Sequence, residues 1–198
     1  FDAFSHQTIG DTLYNCFNLD DIATRSGFTR LGVENVGMLM TRGVLIDIAG
    51  LKGAANLDAA YEITPADLQS ALKRQNITLE SGDAILIRTG WSRHWGTDNA
   101  RYAGNSPGIG VAAADWLARQ NPMLVGADNA SVEISPNPEP KASLPVHQIM
   151  LVVNGIHLLE NLKLEDLAAQ SVYEFAFVLQ PLKLQGGTGS TVAPVAIR

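Results

Sequence analysis

The sequence predicts a mixed α/β fold in one domain. Three observations carry this. Apolar, largely β-branched runs recur at 42–49, 84–89, 123–126 and 156–159, with a longer apolar run at 173–182. Helix signals alternate with them, most plainly Thr64-Pro65-Ala66-Asp67. Hydrophobic residues make up 46% of the 198 residues and charged residues 17%, so a sizeable core can form.

Taken in order, residues 10–18 are aromatic and turn-rich and read as a loop with a short strand. Tyr14 and Phe17 read as caps on the core or, alternatively, as a pocket wall. Residues 42–49 follow a glycine and predict a buried strand. Asp47 interrupts it, and a structural ion pair is favoured there over a place at the site. Thr64 is an N-cap, Pro65 stands at N1 and Asp67 at N3, so a helix starts here and runs through Leu68 and Leu72 to about Gln75-Asn76. Ser81-Gly82-Asp83 is a turn. Residues 84–89 are nearly all apolar, as expected of a strand covered on both faces. Gly90-Trp91 breaks that strand, and 92–110 is a long polar loop that carries His94, Trp95 and Tyr102.

A helix is expected over 111–120 with Trp116 and Leu117 on its apolar side. A short strand, 123–126, then delivers Asp128. Residues 131–145 are proline-rich and read as a second long loop. His147 opens a helix through Val153 that Gly155 ends. A strand follows at 156–159 with Glu160 at its end, then a polar connection or short helix around Glu165-Asp166-Leu167. The tail turns at 186–190 and closes on a strand over 192–197.

Several function classes are excluded or disfavoured by composition. The net charge is −6 and no basic run occurs, which argues against a nucleic-acid surface. No apolar run approaches a membrane span, and no signal peptide is visible. The lone Cys16 excludes an internal disulfide, fits a reducing cytoplasmic compartment, and reads as a small buried residue. The glycine-rich tail lacks the lysine and the following helix of a phosphate loop, so a tight turn is preferred to a nucleotide site. No G-x-S-x-G nucleophile elbow is present.

The candidate chemistry lies in two clusters. Asp2 precedes His6 by four positions, and a carboxylate with an imidazole can hold a metal ion or move a proton. Far downstream, His147 and Glu160 both fall at ends of regular elements, where side chains can converge. His94 reads as an exposed loop residue and His157 as structural or solvent-facing.

These residues sit in a text that resembles the cyclase family of metal-dependent hydrolases, which includes bacterial-type kynurenine formamidase and isatin hydrolase. The family hallmark is H-x-G-T-H-x-D-x-x-x-H, and Phe1-Asp2 to His6 match its second half. The likeness continues through Leu13-Tyr14-Asn15, Gly43-Val44-Leu45, Gly82-Asp83, Ile87 to Trp91, Pro107-Gly108-Ile109, and Val125 to Asp128 with Ser131. It goes on through His147, Gly155-Ile156, Leu159 to Leu162, and the turn from Gly186 to Ser190.

The resemblance implies a swivelling β/β/α fold. It implies Asp2, His147 and Glu160 as ligands of a divalent metal, Zn2+ or Mn2+, and His6 as the catalytic acid/base. The implied reaction is hydrolysis of a carbon–nitrogen bond in a small-molecule amide, formamide or lactam. Alternatives are lactone or ester hydrolysis, or a non-catalytic binding member with an incomplete metal site. Tyr14, Phe17 and Trp91 are expected to wall a flat substrate, and a homo-oligomer, dimer or tetramer, is expected. Because Phe1 lies inside the hallmark, the natural protein is expected to carry a further N-terminal segment; the two preceding histidines of the hallmark would stand there, and without them the metal site would be incomplete. The tail departs from the family in having Thr191 and Ala193-Pro194 where a proline and then an arginine are usual.

Overall fold

The computed structural model describes residues 1–138 and 143–198. Its architecture is the expected mixed α/β, built on one six-stranded sheet. Strands β1 (Leu39–Asp47), β2 (Ala84–Arg88), β3 (Leu124–Ala127) and β4 (His157–Leu159) lie side by side in parallel. Strand β5 (Glu174–Leu179) pairs antiparallel with β1, and β6 (Val195–Ile197) pairs antiparallel with β5 at the edge.

The parallel half is three successive crossovers that step one strand at a time. Helix α1 (Pro65–Gln75) joins β1 to β2, and helix α2 (Val111–Ala118) joins β2 to β3. A third helix joins β3 to β4. All three pack on one face of the sheet, where Val44, Ile46, Ile85, Ile87 and Val125 meet Leu68, Leu72, Leu117 and Met150 in a single core. The opposite face, with Leu45, Leu86, Leu124 and Phe175, is covered by Phe1, Val33, Leu162 and Leu164. Alternate residues of β2 therefore enter different cores, which explains its near-continuous apolar text.

Local chemistry sets most boundaries. Thr64 Oγ1 accepts from the Asp67 amide and Asp67 from the Thr64 amide, a reciprocal cap at the start of α1. Asn76 ends α1 in a left-handed conformation. β1 starts before Arg42 and stops at Asp47, because Asp47 caps the short helix Ile48–Leu51 by accepting from the Gly50 amide at 2.8 Å. Its carboxylate also meets Arg88 at 2.7 Å, the structural pairing expected.

Some expectations need correction. The loop 92–110 contains helical turns at Trp91–His94 and Asn99–Tyr102, and Gly108–Ile109 pairs with Glu62–Ile63. Asp98 explains the second turn, since its side chain accepts from the Arg101 amide. Of the proline-rich segment 131–145, residues 139–142 lie outside the described residues. The helix assigned to His147 starts at Pro145, whose fixed φ suits a first turn, and continues as a π-helix over Gln148–Asn154. β5 is shorter than 173–182, and Pro181, which has no amide hydrogen to donate, lies just beyond it. Cys16 is exposed rather than buried, set in a left-handed turn with Asn15. Among the described residues no helix is long and apolar enough to cross a membrane.

The N-terminal segment is drawn into the fold beside β4. The Asp2 amide donates to the Leu158 carbonyl at 2.9 Å, and on its other side the Ser190 amide donates to the Phe1 carbonyl at 3.0 Å. Gly189 makes this approach possible, because a Cβ there would stand 2.7 Å from the Phe1 oxygen. The glycine-rich turn thus clamps the first residues of the chain against the sheet.

Candidate metal centre

Four side chains from distant parts of the sequence converge at the β4 side of the sheet. Asp2 is held by its backbone pairing with Leu158 and by His157, whose Nδ1 lies 2.9 Å from the Asp2 carbonyl. His6 follows one turn of chain later, its amide bonded to the Ala3 carbonyl. His147 projects from the helical turn Pro145–His147, and Glu160 follows directly on β4.

The geometry is compact. The donor atoms of Asp2, His6 and His147 all lie within 4.8 Å of one another. His147 Nε2 is 3.3 Å from Glu160 Oε1 and 3.9 Å from Asp2 Oδ2. His6 Nδ1 is 3.9 Å from Asp2 Oδ1. Asp2 and His147 are buried, whereas the His6 side chain is 37% exposed and that of Glu160 22%. The centre therefore has a closed floor and an open mouth.

Behind His147 stands Glu133, which is 1% exposed. Its Oε1 lies 2.5 Å from His147 Nδ1, and its carboxylate also accepts from the backbone amides of Val146 and His147. A carboxylate surrounded by donors is an acceptor, so Nδ1 carries the hydrogen and Nε2 is left to face Asp2 and Glu160.

Electrostatics favour a cation here. Burial pushes the Asp2 carboxyl up, and the charge of Glu160 adds to this against the opposing pull of His6. Burial works against a charged His147, yet the hydrogen bonds to Glu133 and Glu160 and the charge of Asp2 prevail and hold it up at about 9. Asp2 Oδ2 is buried without a hydrogen-bond partner. An orphaned buried carboxylate oxygen facing an imidazole nitrogen and a second carboxylate suits a hard or borderline divalent ion. The residues present fit such an ion.

The structure brings together Asp2, His6, His147 and Glu160, but it does not bring Trp91 to them as a substrate wall. Trp91 is fully buried, and its Nε1 donates to the Tyr102 carbonyl at 3.2 Å. Tyr14 is half-buried, with its ring 4.7 Å from that of Phe4 and closely packed over Gly155. Phe17 is also half-buried. His157 is structural, stacked on Phe4 at 4.1 Å, and burial depresses it to about 4. His94 is half-buried rather than exposed, lying edge-on to Trp91.

Glu133 and Asp128 are the residues that sequence reading underused. Asp128, fully buried, accepts from the Thr89 amide and hydroxyl and from the Gly90 amide, fixing the exit of β2. The available signal was a carboxylate in otherwise apolar surroundings after β3 and again in Ser131-Val132-Glu133-Ile134.

The family model Cyclase, described as "Putative cyclase", matches residues 1–134. No curated protein matches the chain. Among solved structures, one described as a novel cyclase is 36% identical, with a TM-score of 0.88 over 100% of this chain and 68% of its own. Isatin hydrolase A from Ralstonia solanacearum is 23% identical, with a TM-score of 0.71 over 89% of this chain and 68% of its own. An isatin hydrolase bound to the product analogue thioisatinate is 23% identical, with a TM-score of 0.70 over 98% and 70%. The last two likenesses show a shared fold.

Proposed function

This chain belongs to the cyclase family, and on that premise we propose that it is a metal-dependent hydrolase cleaving a carbon–nitrogen bond of an amide, formamide or cyclic amide. The observation that carries the reading is the convergence of Asp2, His6, His147 and Glu160, with Glu133 holding His147 from behind.

Asp2, His147 and Glu160 would hold the ion, Zn2+ or Mn2+ given their oxygen and nitrogen donors. Bound there, a divalent ion polarises a carbonyl and makes water acidic enough to serve as a nucleophile at neutral pH. Glu133 keeps the hydrogen of His147 on Nδ1. His6, beside Asp2 and open to the mouth, takes the proton released as water adds to the carbonyl carbon. It returns that proton to the nitrogen as the carbon–nitrogen bond breaks, so one imidazole serves both halves of the reaction. The buried floor of Asp2 and His147 limits water on that side.

We read residues 1–198 as one domain of this kind, cytoplasmic and homo-oligomeric as a dimer or tetramer. Exposed Met40, Val195 and Ile197 near the β6 edge support a contact between copies, and light scattering tests it. The function is tested by metal per chain in the purified protein, followed by hydrolysis of N-formyl aromatic amines and isatin-like lactams. About one or two equivalents of zinc or manganese with turnover is expected. A protein that takes up neither ion after incubation with both would overturn the reading.

A further inference from the structure

Asn129 follows Asp128 just beyond the carboxyl end of β3 and is wholly buried. Its Oδ1 accepts from the Val132 amide at 2.8 Å. Its Nδ2 donates to the Pro107 carbonyl at 2.6 Å and, over a longer 3.4 Å, to the Glu133 carbonyl. Its backbone carbonyl accepts from the Asn161 amide at 2.9 Å. The partners fix which way the side-chain amide points, because a backbone N–H can only donate and a carbonyl can only accept. One residue thus joins the loop before α2, the segment that carries Glu133, and the residue that follows Glu160.

Those last two connections lead to opposite sides of one imidazole. Glu133 meets His147 at Nδ1, 2.5 Å away, and Glu160 meets it at Nε2, 3.3 Å away. Neighbouring bonds stiffen both links. The Ser131 hydroxyl donates to the Glu133 carbonyl at 2.9 Å, and the Leu162 amide donates to the Ala127 carbonyl at 3.1 Å. Ile109, two residues beyond Pro107, exchanges backbone bonds with Val132 and Ile134 on either side of Glu133. An amide side chain suits this junction because it offers an acceptor and two hydrogens from one planar group. An ionised aspartate would keep the shape but set a charge against two carbonyl oxygens, and a serine would be too short to reach them.

We propose that Asn129 is a positioning residue of the metal centre, one that sets Glu133 and Glu160 at the spacing that lets both carboxylates meet the ring of His147. Its bonds run to backbone atoms, so it acts through the main chain of its partners rather than on an ion or a substrate. The proposal rests on the metal-centre reading above and adds to it the residue that holds two of its parts in register.

Asn129→Ser and Asn129→Asp test this beside a control, Thr41→Val, which removes the bond from the Thr41 hydroxyl to the Gly82 carbonyl at the amino end of the sheet. Serine keeps an acceptor for the Val132 amide and so preserves the local turn, while losing both donors. Aspartate keeps the size and loses both donors. In metal-free protein, proton NMR reads the downfield Nδ1 hydrogen of His147, assigned by its absence from His147→Gln. Calorimetric titration then reads zinc affinity. Both Asn129 variants should shift or broaden that resonance and weaken zinc binding about tenfold. Thr41→Val should lower the melting temperature and leave resonance and affinity at wild-type values. A wild-type resonance and affinity in either folded Asn129 variant, or an equal loss in Thr41→Val, would overturn the positioning role. Zinc binding weakened as expected, with no amide turned over by wild type, would uphold Asn129 and remove the hydrolase reading. A wild type that takes up neither zinc nor manganese would also remove that reading, and the imidazole resonance, measured without metal, would still decide for or against Asn129.

Discussion

Glu133 lies fourteen residues before His147 in the chain and 2.5 Å from its ring. A metal-binding imidazole is oriented by what its other nitrogen touches, and such partners are commonly worth a factor of ten to a hundred in affinity. Glu133→Gln should therefore lower zinc or manganese affinity by roughly 10–100-fold while circular dichroism stays native, as isothermal titration would read. An unchanged affinity would reduce Glu133 to a satisfied core residue. His157 makes a second residue-scale prediction. Burial depresses it to about 4 against an ordinary value of 6.5, so the folded state prefers it neutral. Its contribution is complete above about pH 6.5 and is lost as pH falls through about 4, up to about 3 kcal/mol in all. The stability difference between wild type and His157→Gln, from urea unfolding, should shrink across that window. A difference constant from pH 7 to 4 would refute the assignment.

At the scale of elements, α1 shows how completely a local signal can specify a boundary. Thr64, Pro65 and Asp67 act within one turn, and the helix starts where they predict. Thr64→Ala should cost about 1 kcal/mol in urea unfolding, the usual worth of an N-cap. The glycine-rich turn behaves differently. Gly189 is needed because the Phe1 carbonyl passes close to it, a contact between residues almost the whole chain apart. Gly189→Ala should displace the first residues and with them Asp2, weakening metal binding before it unfolds the protein. Metal titration together with thermal melting would separate the two effects; intact metal binding at a native melting temperature would show that the clamp is dispensable. The helix at His147 lies between these cases: Pro145 marks its start, but nothing local announces the π-helical continuation.

For the molecule as a whole, the centre joins the first six residues to the helix after β3 and to the end of β4. A ligand that binds only the folded chain stabilises it by mass action, about 2.7 kcal/mol at a hundredfold excess over Kd. Zinc or manganese should thus raise the melting temperature of chelated protein by about 5–10 °C for a chain of this size. Asp2→Ala should abolish that rise, because it removes the orphaned buried oxygen. A rise that survives the substitution would place the stabilising ion elsewhere.

The sequence by itself determined the mixed α/β class, the strands near 84–89 and 156–159, the cap of α1, the Asp47 pairing and the four candidate side chains at Asp2, His6, His147 and Glu160. These follow from period, turn chemistry and a shared motif, all of which act over a few residues. Tertiary structure alone decided the rest. It buried Trp91 and left Cys16 exposed, because burial depends on what other segments pack against a side chain. It also set Glu133 behind His147, and brought Pro107 and Asn161 to Asn129, through loops whose local sequence carries no trace of the partner across the fold.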